Sequence, residues 1–183
     1  MEAMEYIENR TYDEIQVGDS ATLVRTLKPQ DIQLFAIMSG DVNPAHVDPE
    51  YAKSSMFQEV IAHGMWGGAL ISTVLGTQFP GPGTLYIDQT LHFSRPVGLG
   101  DTITVTLTAT RKFDHNHHIL FDCVCTNQDG QKVIGGTAEV PRAGHGDDVA
   151  KLGQRHARIV LNFIALSCLQ EFCAGAEPAL HLL

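Results

Sequence analysis

The two residues best suited to move a proton to or from water are Asp41 and His46, five positions apart in Ser39-Gly40-Asp41-Val42-Asn43-Pro44-Ala45-His46-Val47-Asp48. An imidazole titrates near neutrality, and a carboxylate can orient a water or relay its proton. Gly40 and Pro44 mark the stretch as a tight loop between two helix signals. A loop does not need both side chains for packing, so the pair reads as acid and base. Taken alone, an Asp and a His at this spacing describe a solvated turn as well as a site, and the surrounding chain has to decide between them. Asn43 is expected to brace the loop through side-chain to backbone bonds while Pro44 fixes its backbone. Asp48 reads first as a helix cap.

The elements that must hold this loop are legible on both sides. Ser20 to Leu27 is a β-branched and aliphatic run, a first strand. Pro29 suits the first position of a helix, Ile32, Phe35 and Ala36 recur on one helical face, and Gly40 supplies the stop that delivers the chain to Asp41. Asp48 and Pro49 open a second short helix through Tyr51 and Ala52. From Ile61 to Phe79 no residue is charged apart from His63, so a helix apolar all round, buried in the interior, is expected there. Gly67, Gly68 and Gly76 each weaken it by about 1 kcal/mol relative to alanine, which close approach of a strand or a ligand would offset.

Four strand-like runs follow the Pro80-Gly81-Pro82-Gly83 break: 84–93, with Leu85, Ile87, Leu91 and Phe93 on one side; 102–110, alternating without a break; and 119–126 and 131–140, joined by the hairpin signal Asn127-Gln128-Asp129-Gly130. The packing solution is an α+β fold, a curved antiparallel sheet wrapped around a long buried helix. A single sheet leaves its edges and part of that helix under-covered, so a homodimer or higher homo-oligomer is expected. Residues 1–141 form the expected domain. Residues 142–183 differ in composition and read as a tail or linker remnant. Asp147-Asp148 is a helix-opening signal there, and the apolar run 159–169 is too short to span a bilayer.

The formal charge of −9, with no basic run, excludes a nucleic-acid or anionic-membrane surface. No apolar run reaches the ~18 residues of a membrane helix, and Met1-Glu2-Ala3-Met4-Glu5 is not a secretory signal. Cys123, Cys125, Cys168 and Cys173 lack zinc-type spacing and read as reduced thiols, so the expected location is cytoplasmic. Asp114-His115-Asn116-His117-His118 offers metal-ligand types, but its place between two strands makes it a polar turn without a second ligand cluster. No metal or cofactor is expected.

Residues 12–140 resemble the MaoC-like branch of the hot-dog fold, the (R)-specific enoyl-CoA hydratases. The resemblance rests on Phe35, on the Asp41 to His46 core with its flanks, and on Ala62-His63-Gly64-Met65 at the start of the apolar helix. Phe93-Ser94-Arg95-Pro96-Val97 and Gly100-Asp101 echo it. The version looks especially similar to the N-terminal part of proteins that fuse this domain to a phosphate acyltransferase. Ala45, where the family more often has a branched aliphatic, departs from the pattern and bears on pocket shape. The resemblance implies a hydro-lyase that adds water reversibly to a trans-2-enoyl-CoA, giving an (R)-3-hydroxyacyl-CoA, with Asp41 and His46 gripping the water. The chemistry needs a base for the water, an acid for C2 and donors for the enolate oxygen. His46 is assigned as base and the Gly64 N–H, at a helix N-terminus, as oxyanion donor. Asn43, Met65 and Arg95 are the expected substrate contacts, Arg95 toward the CoA phosphates. His63 is expected to be structural, holding the turn. Two alternatives remain: an acyl-CoA thioesterase and a non-catalytic acyl-CoA-binding or scaffolding module. The division of proton transfers and the acyl length preference are not legible.

Overall fold

The structure is a computed structural model that describes residues 9–142 of the 183. A first strand, β1 (Ser20–Thr26), leads to α1 (Pro29–Ser39), two short helices α2 (Pro44–Val47) and α3 (Pro49–Ser54), and the long helix α4 (Gly64–Thr77). Five strands follow: β2 (Asp88–Gln89), β3 (His92–Phe93), β4 (Thr102–Phe113), β5 (His118–Thr126) and β6 (Lys132–Pro141). They form one antiparallel sheet in the order β1-β4-β5-β6-β2, with β3 also on β6. The expected α+β arrangement, a curved sheet around a long helix, is what the chain adopts.

Local chemistry accounts for the helix ends. Asp31 accepts from the Lys28 N–H at 2.9 Å and pairs with Arg25 at 2.8 Å, closing the first turn of α1. Burial pushes the Asp31 carboxyl up, but Arg25 and the Lys28 N–H outweigh it and leave the group below its ordinary value. At the other end Gly40 takes a left-handed conformation, φ 75°, and donates to the Ala36 carbonyl. Asp48 caps α3 through the N–H groups of Glu50 and Tyr51, at 2.9 and 3.1 Å.

Helix α4 departs from the expectation of a helix buried all round. Trp66, Gly67, Leu70, Ile71, Val74 and Leu75 face the sheet and are buried, whereas Met65, Ala69, Ser72 and Thr73 on the opposite side are exposed. Among the described residues a strand layer covers one side of the helix only. Close approach explains Gly67, where a Cβ would collide with the Ile134 side chain, but not Gly76, which has nothing within 4 Å of that position. The sheet supplies the facing layer. Ile103, Val105, Leu107 and Ala109 of β4 are all fully buried while the threonines between them are half-buried, as the alternation requires.

The expected continuous strand over 84–93 is interrupted. Only 88–89 and 92–93 pair with β6, and Ile87 and Phe93 are 57% and 48% exposed. The cause is a close crossing, since a Cβ on Gly136 would collide with the Thr90 carbonyl. Thr90 fastens the crossing with its own N–H to the Thr137 carbonyl (2.8 Å), and its hydroxyl meets the Thr137 hydroxyl and N–H, both at 2.9 Å.

The polar turn 114–118 is occupied by structural contacts. Asp114 accepts from the Tyr12 hydroxyl at 2.7 Å, His117 packs on the Tyr12 ring, and His118 Nδ1 lies 2.6 Å from Glu139. Burial and Asp114 push Tyr12 up to about 12. Cys123 and Cys125 are buried free thiols, pushed up to about 12 and about 11 by burial. Cys168, Cys173 and the expected tail 142–183 lie outside the described residues, Arg142 excepted. Arg142 is packed into the domain, where its guanidinium donates to the backbone carbonyls of Arg10, Pro80 and Pro82. Among the described residues no helix is long and apolar enough to cross a membrane.

Candidate active site

The stretch from Gly40 to Asp48 is built by successive short-range bonds. The Ser39 hydroxyl donates to the Phe35 carbonyl at 2.6 Å and accepts from the Asp41 N–H at 3.2 Å. Asp41 Oδ1 accepts from the Asn43 N–H at 3.2 Å, and Asn43 Oδ1 from the Ala45 N–H at 3.1 Å. Asn43 therefore caps α2, a single helical turn that carries His46 and that the loop expectation missed. The signal was present, because Asn43-Pro44 repeats the cap and first-position pattern of Asp48-Pro49.

His46 Nδ1 lies 2.8 Å from the Ile61 carbonyl oxygen. A carbonyl only accepts, so Nδ1 carries a proton, and in the neutral ring Nε2 keeps its lone pair. His63 Nε2 lies 2.9 Å from the backbone carbonyl of Asp41, which by the same reasoning puts the His63 proton on Nε2. The two imidazoles stack with ring centroids 4.1 Å apart, and Phe35 packs on His63 at 4.9 Å. Asp41, His46 and His63 each bring a donor atom within 4.8 Å of the others. An Asp and two His are also metal-ligand types, and a backbone carbonyl on the other ring nitrogen is the usual partner of a ligating imidazole. In the neutral rings His46 Nε2 and His63 Nδ1 keep their lone pairs, and the Asp41 carboxylate beside His46 suits the pair to handling one water.

Next to them is a cavity of about 320 Å³, lined by His46, His63 and Gly64, by buried Trp66, Ile103 and Ile134, and by exposed Phe93 and Arg95. Gly64 is the first residue of α4, a position whose N–H has no acceptor within the helix. A Cβ there would come within 3.1 Å of the Phe93 ring, so glycine lets that ring close over the helix start. Arg95 is anchored by Nη1 donating to the Lys132 carbonyl at 2.9 Å.

Of the expected site residues, Asp41, His46, Gly64 and Arg95 gather at or beside the cavity. Asn43 braces the loop. Met65, 55% exposed, faces away on the open side of α4 and is not among the cavity residues. The Ile61 carbonyl and the His63 contact with Asp41 were beyond sequence reasoning, because nothing in a residue's type announces which carbonyl it will meet.

A family model described as the MaoC like domain matches residues 14–123. The chain is 45% identical over 129 residues to an (R)-specific enoyl-CoA hydratase of Rhodospirillum rubrum, covering 70% of this chain and 89% of that protein. It is 35% identical over 141 residues to a 3-hydroxybutyryl-CoA dehydratase of Methylorubrum extorquens, with 76% and 89% covered. Among solved structures, an unliganded R-hydratase of Pseudomonas aeruginosa superposes with a TM-score of 0.71 at 42% identity, over 76% of this chain and 89% of that one. With the family model spanning more than half of the sequence and the fold shared with solved hydratases, the chain belongs to the MaoC-like family of hot-dog proteins.

Proposed function

We propose that this chain is a hydro-lyase that hydrates trans-2-enoyl-CoA thioesters reversibly to (R)-3-hydroxyacyl-CoA. The observation that carries the reading is the His46 tautomer: Nδ1 bound to the Ile61 carbonyl leaves Nε2 basic, with the Asp41 carboxylate near it and an apolar cavity alongside. His46 Nε2 takes a proton from the water, and Asp41, one of whose oxygens is held by the Asn43 N–H, orients that water with the other. The oxygen adds to C3 and charge moves to the thioester oxygen, where the Gly64 N–H receives it. The acid and base pair returns a proton to C2. Arg95 meets the CoA phosphates, and the apolar cavity wall takes the acyl chain.

The working unit is the domain of residues 1–141 paired with a second copy. Supporting the pairing are the open side of α4 with exposed Met65, and the exposed Ile87 and Phe93, apolar groups a second chain would cover. A cytoplasmic location fits the buried reduced Cys123 and Cys125.

The test is consumption of crotonyl-CoA, followed through loss of its conjugated thioester absorbance, with chiral analysis of the product. Asp41→Asn and His46→Ala should each lower kcat by about 10²-fold or more. Full activity in either variant, release of free CoA in place of a hydroxyacyl-CoA, or an (S) product would refute the assignment.

A further inference from the structure

We infer that His63 is a positioning residue for this reaction, setting the relation between Asp41, His46 and the Gly64 N–H through its Nε2–H and its ring face. The inference rests on the hydratase reading above. Three observations carry it. His63 Nε2 donates to the Asp41 backbone carbonyl, fixing the start of the catalytic loop. Its ring lies on the His46 ring at 4.1 Å, so the plane of the base is set against it. Its own carbonyl carbon is bonded to the Gly64 nitrogen, which ties the direction of that N–H to the His63 backbone. One residue therefore provides a common reference for the base, its partner carboxylate and the oxyanion donor.

Plain structural roles do not account for a histidine here. His63 is the N-cap residue of α4, yet its side chain makes no cap bond, and Ser, Thr, Asp or Asn would serve better there. As a packing group between Phe35 and His46 it is inferior to phenylalanine. His63 is 3% exposed and its Nδ1 is buried with no partner among the described residues, a loss of about 1–3 kcal/mol that a phenyl ring would avoid. What phenylalanine lacks is the Nε2–H donor. The contact joins segments 22 residues apart, and small misplacement of reacting groups costs rate steeply, on the order of 10²-fold per ångström.

The experiment compares His63→Phe, which keeps the ring and loses the donor, with His63→Gln, which keeps a donor and loses the ring, on crotonyl-CoA. His63→Phe should retain the thermal midpoint within a few degrees and lose about 10- to 100-fold in kcat, with KM changed less than about threefold. His63→Gln should recover at least about fivefold of that loss. A folded His63→Phe with kcat within about twofold of the parent overturns the inference, as does a folded His63→Gln no better than His63→Phe. If His63→Phe does not fold, the imidazole tautomers of the parent, measured by nitrogen-15 NMR, decide the inference.

Nitrogen-15 NMR of the imidazoles gives a readout that does not depend on turnover. The parent should show His63 protonated on Nε2 and His46 on Nδ1. A His63 proton on Nδ1 overturns the inference. A parent without hydratase activity would refute the proposed reaction instead, with the tautomers still deciding whether His63 holds Asp41.

Discussion

Gly64→Pro tests the oxyanion assignment with little disturbance to the fold. Proline is favoured at the first position of a helix, where its missing N–H has no intrahelical acceptor to lose. It also requires an extended residue before it, and His63 already has φ −58° and ψ 132°. The three atoms nearest the added Cβ, at 3.1, 3.3 and 3.5 Å, all belong to the Phe93 ring, which is about half exposed in this chain. Gly64→Ala adds the same Cβ and keeps the N–H, so it controls for the Cβ, while the proline ring also sets its Cδ where the N–H hydrogen pointed. Removal of one oxyanion donor is worth about 10²–10³ in kcat, or about 3–4 kcal/mol of barrier. The expectation is therefore a kcat for Gly64→Pro at least about 10²-fold below that of Gly64→Ala on crotonyl-CoA, with the two thermal midpoints alike. Saturation kinetics separate a blocked pocket, which raises KM, from a lost donor, which lowers kcat. A Gly64→Pro enzyme within about fivefold of Gly64→Ala would show that the thioester oxygen takes its hydrogen bond elsewhere.

Gly136→Ala should destabilise the domain by about 2–4 kcal/mol, because displacing Thr90 breaks its three hydrogen bonds to Thr137, each worth about 0.5–1.5 kcal/mol; chemical denaturation measures this. Arg142→Met keeps the stem but leaves the carbonyls of Arg10, Pro80 and Pro82 without their charged donor, so calorimetry should show a loss of about 2–4 kcal/mol. A chain ending at Arg142 should keep its hydratase rate, and loss of activity with the fold intact would assign the following residues a role. Asp31 titrates below its ordinary value in the folded protein, so its ionised form contributes stability above the unfolded pKa, about 3.9, and that contribution fades as pH falls through the folded value. Asp31→Asn keeps an oxygen for the Lys28 N–H but loses the charge paired with Arg25, so it should lower stability by about 1 kcal/mol or less near neutrality, and the gap to the parent should close in acid; a gap that widens with acidification would reverse the sign of this reasoning.

What the sequence determined by itself is what short-range interactions control. The β4 alternation, the caps at Gly40 and Asp48, the hairpin at 127–130 and the start of α4 at Gly64 each depend on residues within one helical turn or one strand of each other. Asp41 and His46 could be picked out for the same reason, since their spacing is local and both types can move a proton. The tertiary structure decided what depends on distant partners. The His46 tautomer comes from a carbonyl 15 residues away, the hold on Asp41 from an imidazole 22 residues away, and the break in the 84–93 strand from Thr137, 47 residues beyond Thr90. A backbone carbonyl carries no side-chain identity, and Gly136 announces flexibility without naming the backbone it will admit. The exposed side of α4 belongs to the same class, because its Ala69, Ser72 and Thr73 are small and uncharged, as a buried face can be, and among the described residues a single sheet covers only the other side. The Asp41 and His46 pair was thus legible as two reactive groups. Only the fold supplied the Ile61 carbonyl that makes one of them a base.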